Sequence, residues 1–478
     1  MATPTHIHFL GIAGIGVSAL AQIAQARGIR VSGSDPNADP AANLAVERLH
    51  AGGATLYRDH KAGNLAADVD LVVASAAIAE DNPEVRAAHA RGVRVVSRAD
   101  FLGELMAAHH GPKIAVAGTH GKTTTTGMLG VLLQNAGLDP TVFVGGEVAE
   151  LGGNVRVGSA EGPFVAEACE AYDSFLSLKP DIAVLTNVEA DHLDHYGTAE
   201  RVQAAFVRFL QNVRPGGTIV ACADDPGARE VLGRFLPTAS VTYGLTDATA
   251  QMQAHSLQLD THTAFTWGSD DADSAHDTRL ILNVPGRHNV LNALAAATVA
   301  TLLHVPVAAI ADGLRAFHGA TRRQEILGAA AMEGGDVIVM DDYAHHPTEI
   351  RATLDALRGA YPQRRLIAIF QPHLYSRTRD FLAPFAEALA LADALIVTDI
   401  YAARETPIEG VRASDIVNLA VKHNPNAPML FLPDKADIPS MLAALVRPGD
   451  LTVFLGAGDI RIQGETFLQL LQERSAAR

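Results

Sequence analysis

Short apolar runs and amphipathic stretches alternate along the whole chain. The runs His6–Leu10, Ile29–Gly33, Leu71–Ala74 and Val93–Val96 come first, followed by Lys113–Ala117, Pro163–Ala166, Ile182–Thr186 and Thr218–Ala221. A last group comprises Asp336–Met340, Leu366–Phe370, Ala394–Thr398 and Asp450–Leu455. Such brief, nearly continuous runs suit strands of parallel sheets buried on both faces. Helical spacing fills the intervals, as in the stretch after the glycines of HFLGIAGIG, in Ala99–His109, in Ala199–Asn212 and in the segment opening at Arg287. The alternation predicts doubly wound α/β architecture from end to end. A polar stretch from Thr246 to Asp277, with the acidic loop GSDDADSAHD, reads as a β-rich insert. Breaks at His110–Gly111–Pro112 and Gly319–Thr321 divide the chain into residues 1–109, 110–320 and 321–478.

Composition narrows the class without altering that outline. A length of 478 residues suits about three domains. With 48% apolar and 19% charged residues the chain has the balance of a soluble globular protein. It lacks an apolar run of the roughly 18 residues that a membrane helix needs, and its start lacks the basic segment of a signal peptide. Cys169 and Cys222 are too few for a disulfide framework, and nothing around them resembles a zinc site. A cytoplasmic protein without membrane attachment is expected, either monomer or homodimer. The net charge of −16 argues against nucleic acid as a partner. Small anions stay within reach, because a local lysine or helix end outweighs distant charge screened by salt.

The stretch GPKIAVAGTHGKTTTT, residues 111–126, carries the strongest chemical signal. It reads as a buried strand, a glycine loop and a helix start. Gly118 and Gly121 let backbone N–H groups approach an anion, and the helix opening at Lys122 adds its positive dipole end. Lys122 is suited to the outer phosphates of a nucleoside triphosphate and the Thr123 hydroxyl to Mg²⁺. The spacing G-x-x-G-K-T is tighter than the common G-x-x-x-x-G-K-[ST]. The central domain is thus expected to be a P-loop ATPase, flanked by Rossmann-like N-terminal and C-terminal domains.

Other polar positions gather at strand ends, where ligands of parallel sheets bind. Gly11, Gly14, Ile15 and Gly16 form a G-x-x-G-x-G turn able to hold a pyrophosphate, and Asp35 resembles a ribose-binding acid. Tight packing or a nicotinamide cofactor are the other readings of that turn. Glu167 follows one strand; Asp191 and His192 follow another in TNVEADHLDHYG. With Thr123, Glu167 makes a reasonable magnesium site, and His192 is either a less orthodox ligand or a loop-bracing histidine. Glu170 and Asp173 read equally well as solvated surface charges. Asn289 and Asn292 lie three apart on one helical face, fit to read adenine or to cap the helix. Arg322 and Arg323 at the second boundary are either a pair that reaches phosphates when a third domain closes or, as arginine pairs usually are, simply solvated. In MDDYAHHPTEI, residues 340–350, Asp341, Asp342, His345 and His346 crowd one turn before a helix whose first residue is Pro347. His373, Tyr375, Ser376 and Arg377 repeat that logic after the next strand, and Asp399, Tyr401 and Glu405 after a third.

Taken together, HFLGIAGIGVSALA, GTHGKTTTT, EADHLD, PGRHNVLNALAA, DDYAHHPTEI and FQPHLYSRT resemble the Mur ligase family, ATP-dependent amide-forming enzymes of bacterial cell-wall precursor synthesis. The resemblance spans essentially the whole chain. It implies ATP on Gly118, Thr119, His120, Gly121, Lys122, Thr123 and Thr124, with Asn289, Asn292 and Arg323 nearby, and Mg²⁺ at Thr123, Glu167 and His192. It implies a UDP-sugar at Gly11, Gly14, Ile15, Gly16 and Asp35, with Tyr343 and His373 as further substrate-binding residues. Lys122, His192, His345, His346 and Arg377 would be catalytic. Within the family the pattern points to the member that couples L-alanine to UDP-N-acetylmuramate. Later-acting ligases carry a carbamylated lysine after the DH motif, and residues 193–214 contain no lysine.

The resemblance further implies that the lactyl carboxylate attacks the γ-phosphorus, that an acyl phosphate forms, and that the amine of alanine displaces phosphate. His345 or His346 is a candidate for the amine proton, and domain closure is expected to shield the intermediate. The nearest alternative is the recycling ligase that adds an intact tripeptide to the same UDP-sugar. Folylpolyglutamate synthase lacks a domain like residues 1–109. A nicotinamide dehydrogenase would leave the P-loop unexplained, and a non-catalytic binding module would leave Lys122, Thr123 and Glu167 without a role.

Overall fold

The computed structural model of the chain describes residues 4–234, 239–269 and 278–476. The acidic part of the expected insert, from residue 270 to 277, lies outside these. The described residues gather into two compact units. The first holds residues up to 253, 268–269 and 291–316; the second holds 254–267, 278–290 and 317–476.

The first unit contains two sheets. In one, β1 (His6–Leu10), β2 (Arg30–Ser34), β3 (Thr55–Tyr57), β4 (Leu71–Ala74) and β5 (Arg94–Ser97) run in the order β3-β2-β1-β4-β5, and every pair is parallel. Ile7 and Phe9 project into the core shared with Val17, Leu20 and Ile23 of the helix Ile15–Ala26. His6 and His8 take the alternate positions of β1 and are buried on the other face.

The other sheet centres on β6 (Lys113–Ala117). Its members are β7 (Thr141–Val148), β8 (Gly153–Arg156), β9 (Phe164–Glu167), β10 (Ile182–Leu185), β11 (Thr218–Cys222) and β12 (Ser240–Gly244), with the start of β13 (Met252–Gln258). The order is β8-β7-β9-β6-β10-β11-β12. β6 lies between β9 and β10 with every residue buried, so the loop leaving it sits over the middle of the sheet. Burial of each such Val or Ile contributes about 1.5–3 kcal/mol. The β-rich insert is built from β13 and, in the second unit, the antiparallel pair β14 (Thr263–Ser269) and β15 (Thr278–Leu282).

The second unit's main sheet has β16 (Glu325–Met332), β17 (Gly335–Asp342), β18 (Leu366–Phe370), β19 (Ala394–Val397), β20 (Met429–Phe431) and β21 (Leu451–Leu455) in the order β16-β17-β21-β18-β19-β20. All pairs are parallel except β16 with β17. The C-terminal ends of β17, β18 and β19 therefore open on one edge. Sequence-expected strands match to within one or two residues, with one consequential exception. β17 runs on through Asp341 and Asp342, so these two acids belong to a buried strand and not to the turn. No helix among the described residues is long and apolar enough to cross a membrane.

Candidate active site

The loop after β6 is shaped by its glycines. Gly118 (φ +139°) and Gly121 (φ +79°) adopt backbone conformations that side chains disfavour. A Cβ on Gly121 would lie 2.5 Å from the Asn292 side-chain oxygen. Asn187, just beyond β10, clasps the loop from the side: its Oδ1 accepts from the His120 N–H (2.7 Å) and its Nδ2 donates to the His120 carbonyl (3.1 Å). The Thr119 hydroxyl accepts from the Glu189 N–H (2.9 Å), and the His120 ring reaches Glu189 (3.2 Å). The helix Lys122–Asn135 starts from left-handed Gly121, and its first internal bond is Thr125 N–H to the Gly121 carbonyl. The N–H groups of its first turn face the loop mouth as helix ends do, which makes an anion cradle.

Lys122 folds back into that cradle. Its ammonium donates to the carbonyls of Gly118 (2.6 Å) and Thr119 (2.9 Å) and to Glu170 (3.0 Å). Burial opposes the charged ammonium, but Glu170 and, further off, Glu167 outweigh it and hold the lysine pKa above its ordinary value. Glu170 is 2% exposed, so it is a buried counter-ion and not a solvated surface charge. Burial, reinforced by Glu170, pushes the Cys169 thiol up to about 11, which leaves it protonated and inert at neutral pH.

Beside the lysine, the Thr123 hydroxyl donates to Glu167 (3.1 Å), whose other oxygen accepts from the Gly145 N–H (2.6 Å). His192, in a left-handed conformation (φ +52°), holds Nε2 3.9 Å from Glu170 and 4.0 Å from Asp191. Hard oxygen donors with one imidazole at their edge suit a small divalent cation. Asn292 is buried and accepts from Thr125 (3.2 Å), so part of its amide braces the loop helix. Asn289, in the second unit, donates to the Pro285 carbonyl (2.8 Å), a brace to the preceding loop and not an N-cap, in which the side chain accepts.

The first unit's other glycine loop is pinned differently. The Ser34 carbonyl accepts from the N–H groups of Gly11 (2.8 Å) and Ile12 (3.4 Å). Asp35 accepts from Ala13 N–H (3.3 Å) and Asn37 N–H (2.8 Å). Below them the Ser34 hydroxyl donates to Glu84, which is fully buried. Glu84 also takes bonds from His60 (2.6 Å), Asn64 (3.2 Å) and His8 (3.2 Å). Burial would raise its pKa, but the donors His8, Ser34 and His60 together hold it below the ordinary carboxylate value. Burial and neighbouring Arg30 push His6 down to about 4, so it is neutral.

In the second unit, Tyr343, His345, His373, Arg377 and Tyr401 form one polar cluster. The His345 ring meets Tyr343 and His373 edge-on (5.2 and 5.8 Å between centroids), and His373 stacks on Tyr401. Buried Arg377 donates to His373 Nδ1 (3.2 Å). Arg322 and Arg323 both lie over the Tyr343 ring, at 4.9 and 5.2 Å.

Hydrogen bonds separate the two histidines. His345 Nδ1 faces the Tyr343 carbonyl (2.9 Å) and Glu349 (3.3 Å), both acceptors, so Nδ1 carries a proton. His346 instead N-caps the helix Pro347–Ala360, with Nδ1 accepting from the Thr348 N–H (3.3 Å). Its neutral ring therefore carries the proton on Nε2.

The acids placed in the turn by sequence are buried among arginines and backbone donors, most of them from elsewhere in the chain. Asp341 pairs with Arg322 (3.1 Å) and Arg461 (3.3 Å). Asp342 accepts from the N–H groups of Ala344 and Gln324, and burial pushes it up to about 6.

Residues 6–110 match the Mur ligase family catalytic domain, residues 116–300 the Mur ligase middle domain, and residues 322–458 the Mur ligase glutamate ligase domain. The chain belongs to the Mur ligase family. A UDP-N-acetylmuramate–L-alanine ligase of Kineococcus radiotolerans is 45% identical over 477 residues, covering 98% of this chain and 96% of that protein. The enzyme of the same name from Pelotomaculum thermopropionicum is 44% identical, with 98% of each chain covered. A crystal structure of the UDP-N-acetylmuramate-alanine ligase of Thermotoga maritima matches with a TM-score of 0.79 at 29% identity, over 98% of this chain and 99% of that one. A murein peptide ligase from Psychrobacter arcticus matches at 0.67 and 28%, over 98% and 99%.

Within this Mur ligase, Thr119, His120, Lys122, Thr123, Glu167 and Asn292 come together in the first unit, as do Gly11 and Asp35 at the other loop. Sequence reasoning overlooked Asn187 and Glu84 and undervalued Glu170. Asn187 lies one residue past an apolar run, at a strand end, and that position was its only signal. Glu84 follows a proline in an exposed-looking helix start, and its burial depends on partners from three other elements.

Proposed function

We propose that this chain is an ATP-dependent ligase that joins L-alanine to the lactyl carboxylate of UDP-N-acetylmuramate. The observation that carries the reading is the full-length likeness to relatives bearing that activity in their names, at 44–45% identity, with an intact lysine cradle in the corresponding domain. ATP is assigned to Gly118–Thr124, with Lys122 exchanging Glu170 for the terminal phosphate. UDP-N-acetylmuramate is assigned to the Gly11–Gly16 loop and Asp35, and the amino acid to the Tyr343, His345, His373 and Arg377 cluster.

Carboxylate and amine do not condense in water, so the acid is first activated. A lactyl oxygen attacks the γ-phosphorus and ADP departs, leaving an acyl phosphate. The neutral amine of alanine then attacks the acyl carbon, and phosphate leaves with the carboxylate oxygen. Lys122 offsets the charge that builds on the transferring phosphoryl group. Magnesium suits the Thr123 and Glu167 oxygens with His192 beside them, and when bound it supplies further charge neutralisation. His345 is the better candidate to take the amine proton, because its Nδ1 faces a carbonyl and Nε2 is the nitrogen that accepts when the ring is neutral, while His346 caps a helix.

Product mass tests the reading directly. With ATP and UDP-N-acetylmuramate, purified protein offered L-alanine and the murein tripeptide together should yield the alanine adduct. A tripeptide adduct in equal or greater amount would overturn the assignment in favour of the recycling activity.

A further inference from the structure

The loop Gly11–Gly16 holds a feature that its glycine spacing did not announce. The helix Ile15–Ala26 begins there, and its first internal bonds run from Val17 and Ser18 to the Gly14 carbonyl. The N–H groups of Ile15 and Gly16 bond to no backbone carbonyl among the described residues. Gly14 N–H is taken by Gly11, and Ala13 N–H by Asp35. Two donors of the first turn are thus left, side by side, at the positive end of a twelve-residue helix.

Arg98 occupies the space beside them. It is the first residue of the helix Arg98–Ala107, which follows β5, and it is half-buried. A Cβ on Gly16 would stand 2.7 Å from the Arg98 Nη1, 3.2 Å from its Cδ and 3.4 Å from its Cζ. Gly16 has no left-handed backbone to explain its presence. Its lack of a side chain is what lets the guanidinium lie against the helix start. Among the described residues this guanidinium has no hydrogen bond or ion pair, whereas its neighbour Arg94 is held bidentately by Glu104 (2.7 and 2.9 Å). The side chains otherwise placed at this loop are acidic or neutral: Asp35 touches it, Glu84 lies beneath Ser34, and Asn154 donates to the Ile15 carbonyl (2.7 Å).

We infer that Arg98 is a substrate-binding residue, the cation that, with the Ile15 and Gly16 N–H groups, holds the diphosphate of the nucleotide-sugar. The inference rests on the reading that this loop takes the UDP-sugar. A diphosphate carries charge that backbone dipoles alone match poorly, and a guanidinium presents parallel donors to phosphate oxygens. Half-burial strengthens the pairing over what a solvated arginine gives.

The test compares binding of UDP, of uridine and of an ATP analogue by calorimetry or competition, in wild type and in Arg98→Gln and Arg98→Lys. Arg98→Gln keeps an aliphatic stem against Gly16, and thermal melting confirms its fold. UDP affinity should fall at least tenfold in Arg98→Gln and by less in Arg98→Lys. Uridine and the ATP analogue should stay within twofold, and the gap between wild type and Arg98→Gln should narrow as salt rises. UDP binding within twofold of wild type would overturn the inference, as would an equal loss for uridine. Asp35→Ala, measured in parallel, separates the two layers. If it leaves UDP-N-acetylmuramate binding unchanged, the placement of the sugar nucleotide fails. If it weakens binding while Arg98→Gln does not, only the role of Arg98 falls.

Discussion

The first unit carries two strand–glycine–helix turns that differ in how they prepare for charge. At Gly118–Gly121 the cation is built into the loop itself, and a buried acid, Glu170, balances it in advance. At Gly11–Gly16 the loop has no charge of its own and is tied down through Ser34 and Asp35 onto a buried carboxylate network. The first arrangement suits an event in which charge moves, since Lys122 has a partner to leave and a phosphate to follow. The second suits a ligand that stays put, because rigidity there costs nothing during reaction. One loop is built for transfer, the other for grip.

Lys122→Ala should break this contrast most strongly. Turnover should drop about 10³-fold, the scale of losing one preorganised charge partner, while UDP-N-acetylmuramate affinity stays within twofold by calorimetry. Comparable losses in both would mean that the loops do not divide the work.

Gly121→Ala comes next. It combines a φ of +79° with a methyl placed 2.5 Å from Asn292. A left-handed alanine costs roughly 1–2 kcal/mol, so the KM for ATP should rise about tenfold or more in steady-state assays. The sugar nucleotide KM should be spared.

Asp35→Ala should act in the mirror sense. Losing the acceptor for Ala13 N–H and the acid proposed for the ribose should weaken UDP-N-acetylmuramate about tenfold, the worth of one charge-assisted bond, with ATP binding unchanged.

The smallest effect concerns pH. Burial and Arg30 push His6 down to about 4 in the folded chain, from the ordinary histidine value of 6.5. Between those values the unfolded chain binds more protons than the native one, so stability is present above about 6.5 and lost as pH falls towards 4. His288 in the second unit, also pushed down to about 4 by burial and Arg323, acts in the same direction. The raised Asp342 opposes both, since its native form keeps a proton between 3.8 and about 6. His6→Gln should therefore flatten, without abolishing, the fall in melting temperature between pH 6.5 and 4.5. An unchanged slope would show that His6 is not held neutral.

Much of the architecture was readable because parallel strands buried on both faces write unbroken apolar runs, as in Lys113–Ala117 and Leu366–Phe370. β3, β8 and β20 were not, being edge strands of three or four residues with partly exposed positions. β7 carries Gly145 and Gly146, which interrupt its apolar run. The loop after β6 was legible because its glycines and lysine are a local signal, although Asn187, 67 positions from His120, helps to hold it. The partnerships Lys122–Glu170, Ser34–Glu84 and Asp341–Arg461 were not, because each joins residues 48, 50 or 120 positions apart. Polar residues at such places look solvated until the fold supplies the partner. His345 and His346 were indistinguishable as letters and differ in what the backbone offers Nδ1, a carbonyl for His345 and an N–H for His346.

The central claim is that a phosphoryl group gripped beside Lys122 passes to the sugar-linked acid before the amine of alanine attacks it. It is tested by preparing UDP-N-acetylmuramate with ¹⁸O in its lactyl carboxylate and analysing the inorganic phosphate released during turnover with ATP and L-alanine. The account predicts one ¹⁸O atom in each phosphate, carried over when the acyl–oxygen bond breaks. Phosphate that contains none of the label would contradict it.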